Sequence, residues 1–458
     1  MKKADIAQAR VLIIGAGVTG SSVAQVLRDL GSEIHIFDDN QIDNADVRFI
    51  SLDGALKGIW SFAIVSPGWH PDHPLIVHLL SQGTRVMSEV DLAWLLRCEL
   101  QPSQTWLAVT GTNGKTTTVE LATAMLQAGG LKAKACGNVG ETVIEAVIDG
   151  GGLDYLILEL SSFQLQWSEL PGFKSVAILN IADDHVDWHG SFENYVAAKI
   201  RILNRTDLAI LNADDSKTVE AVEKWEGRKV FFSLNSPKPG ELGVVEDLLV
   251  DRSFVLDSDE AALIAQLDEV HPHAPHSISN TLAAAGLARS VGVSHQVIRQ
   301  AVHNFRPGRH RIETVMELDG ITWVNDSKAT NPHAAAASLA SYPSIVWIAG
   351  GLAKGASMTD LVKRSAGHLK AVILIGQDRE LVARALSEAA LEIPCIRVDK
   401  DLTGAVPLME HVVREAKQIA QAGDVVLLAP ACASMDQFIS YADRGDQFTA
   451  AVKKLVGS

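Results

Sequence analysis

The chain is short of cysteine, of positive charge and of long apolar runs, and each shortage removes a class of protein. Four cysteines, Cys98, Cys136, Cys395 and Cys432, are scattered through 458 residues. They have neither CxxC spacing nor the density of a disulfide framework, so they read as reduced core thiols and not as a metal or redox site. Acidic residues outnumber basic ones by 55 to 40, giving a formal charge of -15, where a general nucleic-acid binder would carry the opposite sign. Anionic small ligands stay open, because clustered Lys, Arg and backbone N–H groups act locally whatever the net charge. No apolar stretch approaches the roughly 18 residues that a membrane-spanning helix needs, and the early run Val11–Ile14 is too short for the core of a signal peptide. The expectation is a cytoplasmic chain with no nucleic-acid and no membrane partner. Low-complexity tracts and short-period repeats are missing too.

What remains, 47% hydrophobic and 21% charged residues, is the composition of an ordinary globular protein, and the length suggests about three domains. Short apolar runs alternate with helical patterns at both ends of the chain. That alternation predicts an α/β fold with doubly wound parallel sheets. The polar break Gln101-Pro102-Ser103-Gln104 and the Phe305-Arg306-Pro307-Gly308 segment divide it into expected domains 1–103, 104–308 and 309–458. Little is assigned between Val230 and Val270. His271, His273 and His276 alternate with prolines and read as a loop more readily than as a metal tract.

The central domain opens on Trp106-Leu107-Ala108, then Val109-Thr110-Gly111-Thr112-Asn113-Gly114-Lys115-Thr116-Thr117, then a helical pattern. Strand, glycine loop and helix make a phosphate cradle: Gly111 and Gly114 let N–H groups turn inward, Lys115 reaches phosphate oxygens, and the Thr116 hydroxyl suits Mg2+. The match is partial, since the full phosphate-loop pattern has glycine where this chain has Val109. Two further strands deliver Glu159 and, on the second, Asn180 followed by the Asp183-Asp184-His185 group, placing acid and imidazole near that loop. Lys199, on the next helix, reads by default as a solvated lysine.

Gly15-Ala16-Gly17-Val18-Thr19-Gly20 fits G-x-G-x-x-G between a strand and a helix, and Asp38 follows the next strand where a ribose-binding acid would sit. A nicotinamide-dependent dehydrogenase is one reading, and a turn that merely needs glycine is another. A second phosphate loop a hundred residues on argues for a nucleotide-diphosphate site of unspecified base. Arg309, His310 and Arg311 form a basic cluster that would meet phosphate or solvent. In the last domain each strand hands off to a glycine or polar loop, and these loops offer Lys328, Lys354 and Ser434.

Taken in order, Gly111 to Thr117, Gly137-Asn138-Val139-Gly140, Glu159-Leu160-Ser161-Ser162-Phe163-Gln164, Asp184-His185, Lys199, Asn325-Asp326-Ser327-Lys328-Ala329-Thr330-Asn331 and Pro430-Ala431-Cys432-Ala433-Ser434 resemble the Mur ligases of peptidoglycan synthesis. The Asn325–Asn331 segment most resembles the members that add D-glutamate. The resemblance implies a Rossmann-like UDP-binding domain, a central P-loop ATPase-like domain and a Rossmann-like C-terminal domain. It implies ATP and two Mg2+ ions as cofactors, and UDP-N-acetylmuramoyl-L-alanine and D-glutamate as substrates of a monomeric enzyme.

Residue by residue, it implies that Gly111, Thr112, Asn113, Gly114, Lys115, Thr116, Thr117, Asn280, Arg311 and Asp326 bind ATP. Val18, Thr19, Asp38, Asp39, Gly68, Asn138, Ser161 and Gln164 would hold the UDP-sugar, and Lys328, Thr330, Lys354, Ser434 and Tyr441 the amino acid. Lys115, His185 and Lys199 take the catalytic roles. Thr116, Glu159, His185 and a carbamylated Lys199 become the metal ligands. The chain departs from the family at Ser277, where an asparagine is frequent, and a contact from that amide to adenine or ribose is lost. Other amino-acid ligases of this superfamily, a dehydrogenase and a non-catalytic nucleotide-binding regulator are the competing readings.

Overall fold

The computed structural model describes residues 2–39, 48–149, 151–257, 259–389, 392–398 and 407–457. Three sheets organise them, and the chain divides into two compact units, one of residues 1–270 and 278–305, the other of 271–277 and 306–458. The α/β expectation holds.

In the first unit a four-stranded parallel sheet runs Glu33–Phe37, Arg10–Ile14, Phe62–Val65, Val86–Met87. After Arg10, the strand is a run of branched apolar residues, Val11–Ile14, buried as a central parallel strand requires. The strand order reverses beside it, so the Gly15–Gly20 turn lies at the carboxyl-edge crevice where ligands of such sheets sit. The same unit holds a nine-stranded sheet in the order Ala262–Gln266, Leu248–Asp251, Glu241–Val245, Arg228–Phe232, Leu208–Asn212, Ser175–Ile178, Thr105–Thr110, Tyr155–Glu159, Ala133–Gly137. Its phosphate-loop strand, Thr105–Thr110, lies between the strands ending in Glu159 and Ile178. The 230–270 stretch, unassigned from sequence, supplies the far edge of this sheet, including an antiparallel hairpin.

Two buried carboxylates from the helix Glu89–Leu100 tie these two sheets into one body. Glu89 accepts the N–H of Ile144, an orphan donor at the start of the helix Val143–Ile148. Asp91 accepts from Glu169 and Leu170, and the hydroxyls of Ser22 and Thr142 meet at 2.6 Å. Burial raises the Glu89 carboxyl from its ordinary 4.5 to about 7. A carboxyl raised in the folded state contributes stability that is complete below about pH 4.5 and lost as pH rises through about 7, an effect on the order of 3 kcal/mol. Chemical denaturation of Glu89→Gln should therefore show a flatter pH profile across that window than the parent chain. An unchanged slope would mean that Glu89 does not titrate there.

The second unit carries a six-stranded sheet ordered Glu313–Leu318, Ile321–Asn325, Val425–Leu428, Ile345–Gly350, Leu369–Ile375, Cys395–Arg397, parallel except at its first pair. Ile321–Asn325, Val425–Leu428 and Ile345–Gly350 are neighbours. The loops that follow them therefore emerge side by side at one edge, although they are far apart in sequence. Among the described residues no helix is long and apolar enough to cross a membrane. Cys136 and Cys432 are buried and Cys395 partly so, but Cys98 is exposed, which corrects its reading as a core thiol.

Candidate active site

The glycine loop follows Thr110 and ends at the helix Lys115–Ala128. Gly114 caps that helix at φ +84°, a left-handed conformation costly for any side chain, and a Cβ there would stand 2.4 Å from Asn280 Oδ1. Both the backbone and Asn280 therefore demand glycine. Asn180, at the end of the neighbouring strand, clamps the loop from beneath. Its Oδ1 accepts the N–H groups of Thr112 and Asn113 at 3.1 and 2.9 Å, and its Nδ2 donates to the Asn113 carbonyl. Lys115 Nζ donates to the carbonyls of Gly111 and Thr112, each at 2.9 Å. Thr116 is buried and Thr117 partly so.

Lys199 overturns its default reading. Its side chain is 2% exposed and its Nζ donates to the Gly111 carbonyl at 2.8 Å, so it shares one acceptor with Lys115. Tyr195, one helical turn earlier, lays its ring 4.7 Å from that nitrogen and places its hydroxyl 2.8 Å from Thr112 Oγ1. Burial first, and the Lys115 charge second, push the Lys199 amine well below the ordinary lysine range, with Asp184 opposing them. Tyr195 was not singled out from sequence, and Asn180 was read only as the polar residue that its strand delivers, with no role in holding the loop. The i, i+4 spacing of Tyr195 and Lys199 was the available signal, since it puts both on one helix face.

Glu159 ends its strand 2% exposed. One carboxylate oxygen accepts from Asn138 Nδ2 at 2.9 Å, and the other is buried with no hydrogen-bond partner among the described residues. A buried, half-satisfied carboxylate beside a phosphate loop suits a divalent cation, for an unpaired oxygen is otherwise costly. His185 stands at φ +53° at the start of the short helix Val186–His189, edge-on to the Phe163 ring and 3.6 Å from Asp184. Among the described residues no three His, Cys, Asp or Glu side chains form a ready-made metal centre.

The first sheet's edge meets this region through Trp188, whose indole N–H donates to the Gly68 carbonyl, and through His70, which meets the Trp188 carbonyl. Gly20 packs so closely that a Cβ would lie 1.8 Å from the Gly15 carbonyl oxygen, while Val18 and Thr19 open the helix Val18–Leu30 with Val18 exposed. Asp38 braces the turn by accepting the Ala16 N–H at 2.7 Å, and Asp39 is exposed, 3.9 Å from His73. Ser161 and Gln164 form a reciprocal capping box at the start of the helix Ser162–Trp167.

In the second unit, Asp326 is held by the Ile312 N–H and by the Ser338 hydroxyl, and burial raises its carboxyl to about 6. Arg311 sits between His310 and Ile312, both in left-handed conformations, a strain that tertiary contacts must sustain. Of the basic cluster, Arg309 is paired with Asp446 and His310 is buried against Asn325. Lys328 and Thr330 follow the strand Ile321–Asn325, Ser434 follows Val425–Leu428, and the exposed Lys354, at φ +50°, follows Ile345–Gly350. These are the three adjacent strand ends. The Lys328 ammonium lies 4.1 Å from the centre of the Tyr441 ring.

Two phosphate-competent glycine turns and a lysine-rich loop edge are the equipment of a ligase that couples nucleotide cleavage to bond formation, and the comparisons agree. Residues 109–288 match the Mur ligase middle domain, and 310–432 match the Mur ligase glutamate ligase domain. The chain belongs to the Mur ligase family. Residues 2–53, which include the Gly15–Gly20 turn, match the C-terminal domain of alanine dehydrogenase/PNT. The UDP-N-acetylmuramoylalanine–D-glutamate ligase of Streptomyces avermitilis is 47% identical over 97% of this chain and 98% of its own. Those of Thermobifida fusca and Mycobacterium avium are 46% and 42% identical, each over 98% of this chain and 99% and 97% of their own. Solved structures share the fold at lower identity. A pseudomurein peptide ligase type C from Methanothermus fervidus has a TM-score of 0.62 at 15% identity, covering 98% of this chain and 100% of that one. MurF ligase from Thermotoga maritima in complex with ADP has 0.61 at 17%, covering 100% and 99%.

Proposed function

We propose that the chain is an ATP-dependent ligase that joins D-glutamate to the terminal carboxylate of UDP-N-acetylmuramoyl-L-alanine, in the cytoplasm and as a monomer. The observation that carries this reading is the convergence of Lys115 and the buried Lys199 on the Gly111 carbonyl. A hydride-transfer enzyme has no use for two lysines under a phosphate loop. A carboxylate attacking ATP must overcome charge repulsion, and a fixed cation at the loop lowers that cost in the transition state. In this reading the carboxylate oxygen attacks the terminal phosphorus, ADP leaves, the free amine of D-glutamate attacks the acyl carbon, and phosphate departs as the amide forms.

Thr116 and Glu159 would hold one Mg2+, and His185 with Lys199 a second; when bound, the ions neutralise phosphate charge and orient the carboxylate. Lys199 suits this role as a carbamate. Burial and the Lys115 charge lower the Lys199 amine and so favour its free-base form, which is the form that attacks carbon dioxide, and the anion it becomes would relieve the repulsion from Lys115. Val18, Thr19, Asp38, Asp39, Gly68, Asn138, Ser161 and Gln164 line the UDP-sugar path, with Asp38 also shaping its turn. Asn280, Arg311 and Asp326 serve ATP, and Lys328, Thr330, Lys354, Ser434 and Tyr441 receive D-glutamate. The UDP-sugar-binding, ATP-binding and amino-acid-binding domains of this reading are residues 1–103, 104–308 and 309–458, with Asn138, Ser161 and Gln164 of the sugar set carried by the second and Arg311 and Asp326 of the ATP set by the third.

The test is phosphate release with ATP, UDP-N-acetylmuramoyl-L-alanine and a panel of amino acids. Release should require D-glutamate. Release without any amino acid, or a preference for L-glutamate, removes the assignment.

A further inference from the structure

Arg444 is fully buried, on the helix Tyr441–Leu455. A buried guanidinium normally lies against a carboxylate, because the cost of desolvating it is otherwise unmet. Here its described hydrogen bonds all go to uncharged oxygens. Nε donates to Ser327 Oγ at 2.9 Å, one terminal nitrogen donates to the Ser327 carbonyl at 2.9 Å, and the other donates to the Cys432 carbonyl at 3.1 Å. Among the described residues it forms no ion pair. Asp436 makes itself felt only at longer range, and one of its oxygens already accepts the Gln377 N–H. Burial lowers the Arg444 guanidinium to about 10, which still leaves it charged at neutral pH.

The three acceptors are not scattered. Ser327 precedes Lys328, and its hydroxyl passes the contact on by donating to the Tyr441 carbonyl at 2.7 Å. Tyr441 is the residue whose ring underlies the Lys328 ammonium. Cys432 lies two residues before Ser434, on a loop stitched to its neighbours by paired hydrogen bonds between Leu352 and Ala433 and by the Ala431 N–H on the Ala329 carbonyl. One side chain thus fixes the register of the loops that carry Lys328 and Ser434 and of the helix start that carries Tyr441. A lysine could supply the charge but not the planar fork that grips both oxygens of Ser327.

We propose that Arg444 is a positioning residue of the amino-acid pocket. It frames Lys328, Ser434 and Tyr441 and leaves the pocket with a buried positive charge that is not ion-paired among the described residues and that favours a dicarboxylate amino acid. The inference rests on the reading of this edge as the D-glutamate site and adds the residue that organises it.

The test uses the full-length enzyme with Arg444→Lys and, as a milder variant that keeps the fold, Ser327→Ala. Michaelis constants are measured separately for D-glutamate, ATP and UDP-N-acetylmuramoyl-L-alanine, and thermal stability is followed with and without D-glutamate. Arg444→Lys should raise the D-glutamate KM by about tenfold, because charge without the fork does not restore the frame, and should leave the other two within about twofold. Ser327→Ala should shift the same constant in the same direction by a smaller factor. In both variants the stabilisation conferred by D-glutamate should shrink. A wild-type D-glutamate KM in both variants overturns the inference, as does a parallel rise of all three constants with reduced stability, which marks a purely structural arginine. If the parent enzyme uses another acidic amino acid in place of D-glutamate, the function assignment falls and the same variants are assayed with that acid. If it uses no acidic amino acid, both fall.

Discussion

Lys115→Ala should lower D-glutamate-dependent phosphate release on the order of 10³-fold while the protein stays folded. The lysine's carbonyl partners, Gly111 and Thr112, lie on its own loop, and Lys199 still serves the first of them. Loop shape is set by Asn180 and Gly114, which this substitution does not touch. In the proposed reaction, what disappears is a fixed cation where charge would move between the nucleotide and the acyl oxygen. Arginine at 115 should not restore it, since the larger fork does not fit the site of a compact ammonium. The measurement is single-turnover ADP formation beside a thermal melt. Near-normal turnover in a folded Lys115→Ala protein would make the loop a structural turn.

Lys199→Ala should cost about 10²-fold in the same assay, and short carboxylic acids such as formate, acetate and propionate should restore part of the lost rate. A space-filling lysine would not be replaced by an anion. A readout apart from activity is available: the parent protein, equilibrated with carbon-13-labelled bicarbonate, should give a carbamate resonance that the variant lacks. An unaffected variant, or a parent with no such signal at saturating bicarbonate, returns Lys199 to a packing role against the Tyr195 ring.

The phosphate loop could be read from sequence because every local signal agrees there: an apolar strand, glycines where left-handed backbone is needed, and a helix that starts at once. Glu159 was equally visible, as the polar end of a buried strand. Lys199 was not, because burial of a lysine is decided by tertiary packing, and only the family likeness pointed to it. Arg444 was missed for the same reason. The 230–270 stretch failed for another. Its hairpin turns at Glu246-Asp247 with Glu246 at φ +54°, a conformation that sequence reading expects from glycine or asparagine. The basic run at 309–311 looked uniform, yet the fold gives its members three different fates, an ion pair, a buried imidazole and an arginine on a strained turn.

The buried acids of the helix Glu89–Leu100 bear on modular engineering. Glu89 reaches residue 144, Asp91 reaches 169 and 170, and Ser22 reaches 142. A chimaera cut at the proline break near 101–104 would sever nothing in the backbone traces of either sheet, yet the two buried carboxylates would then depend on the relative's backbone presenting the N–H groups of 144, 169 and 170 at the same places. When the segment before that break is exchanged between relatives, a junction beyond Leu170 keeps each carboxylate with the backbone it was packed against.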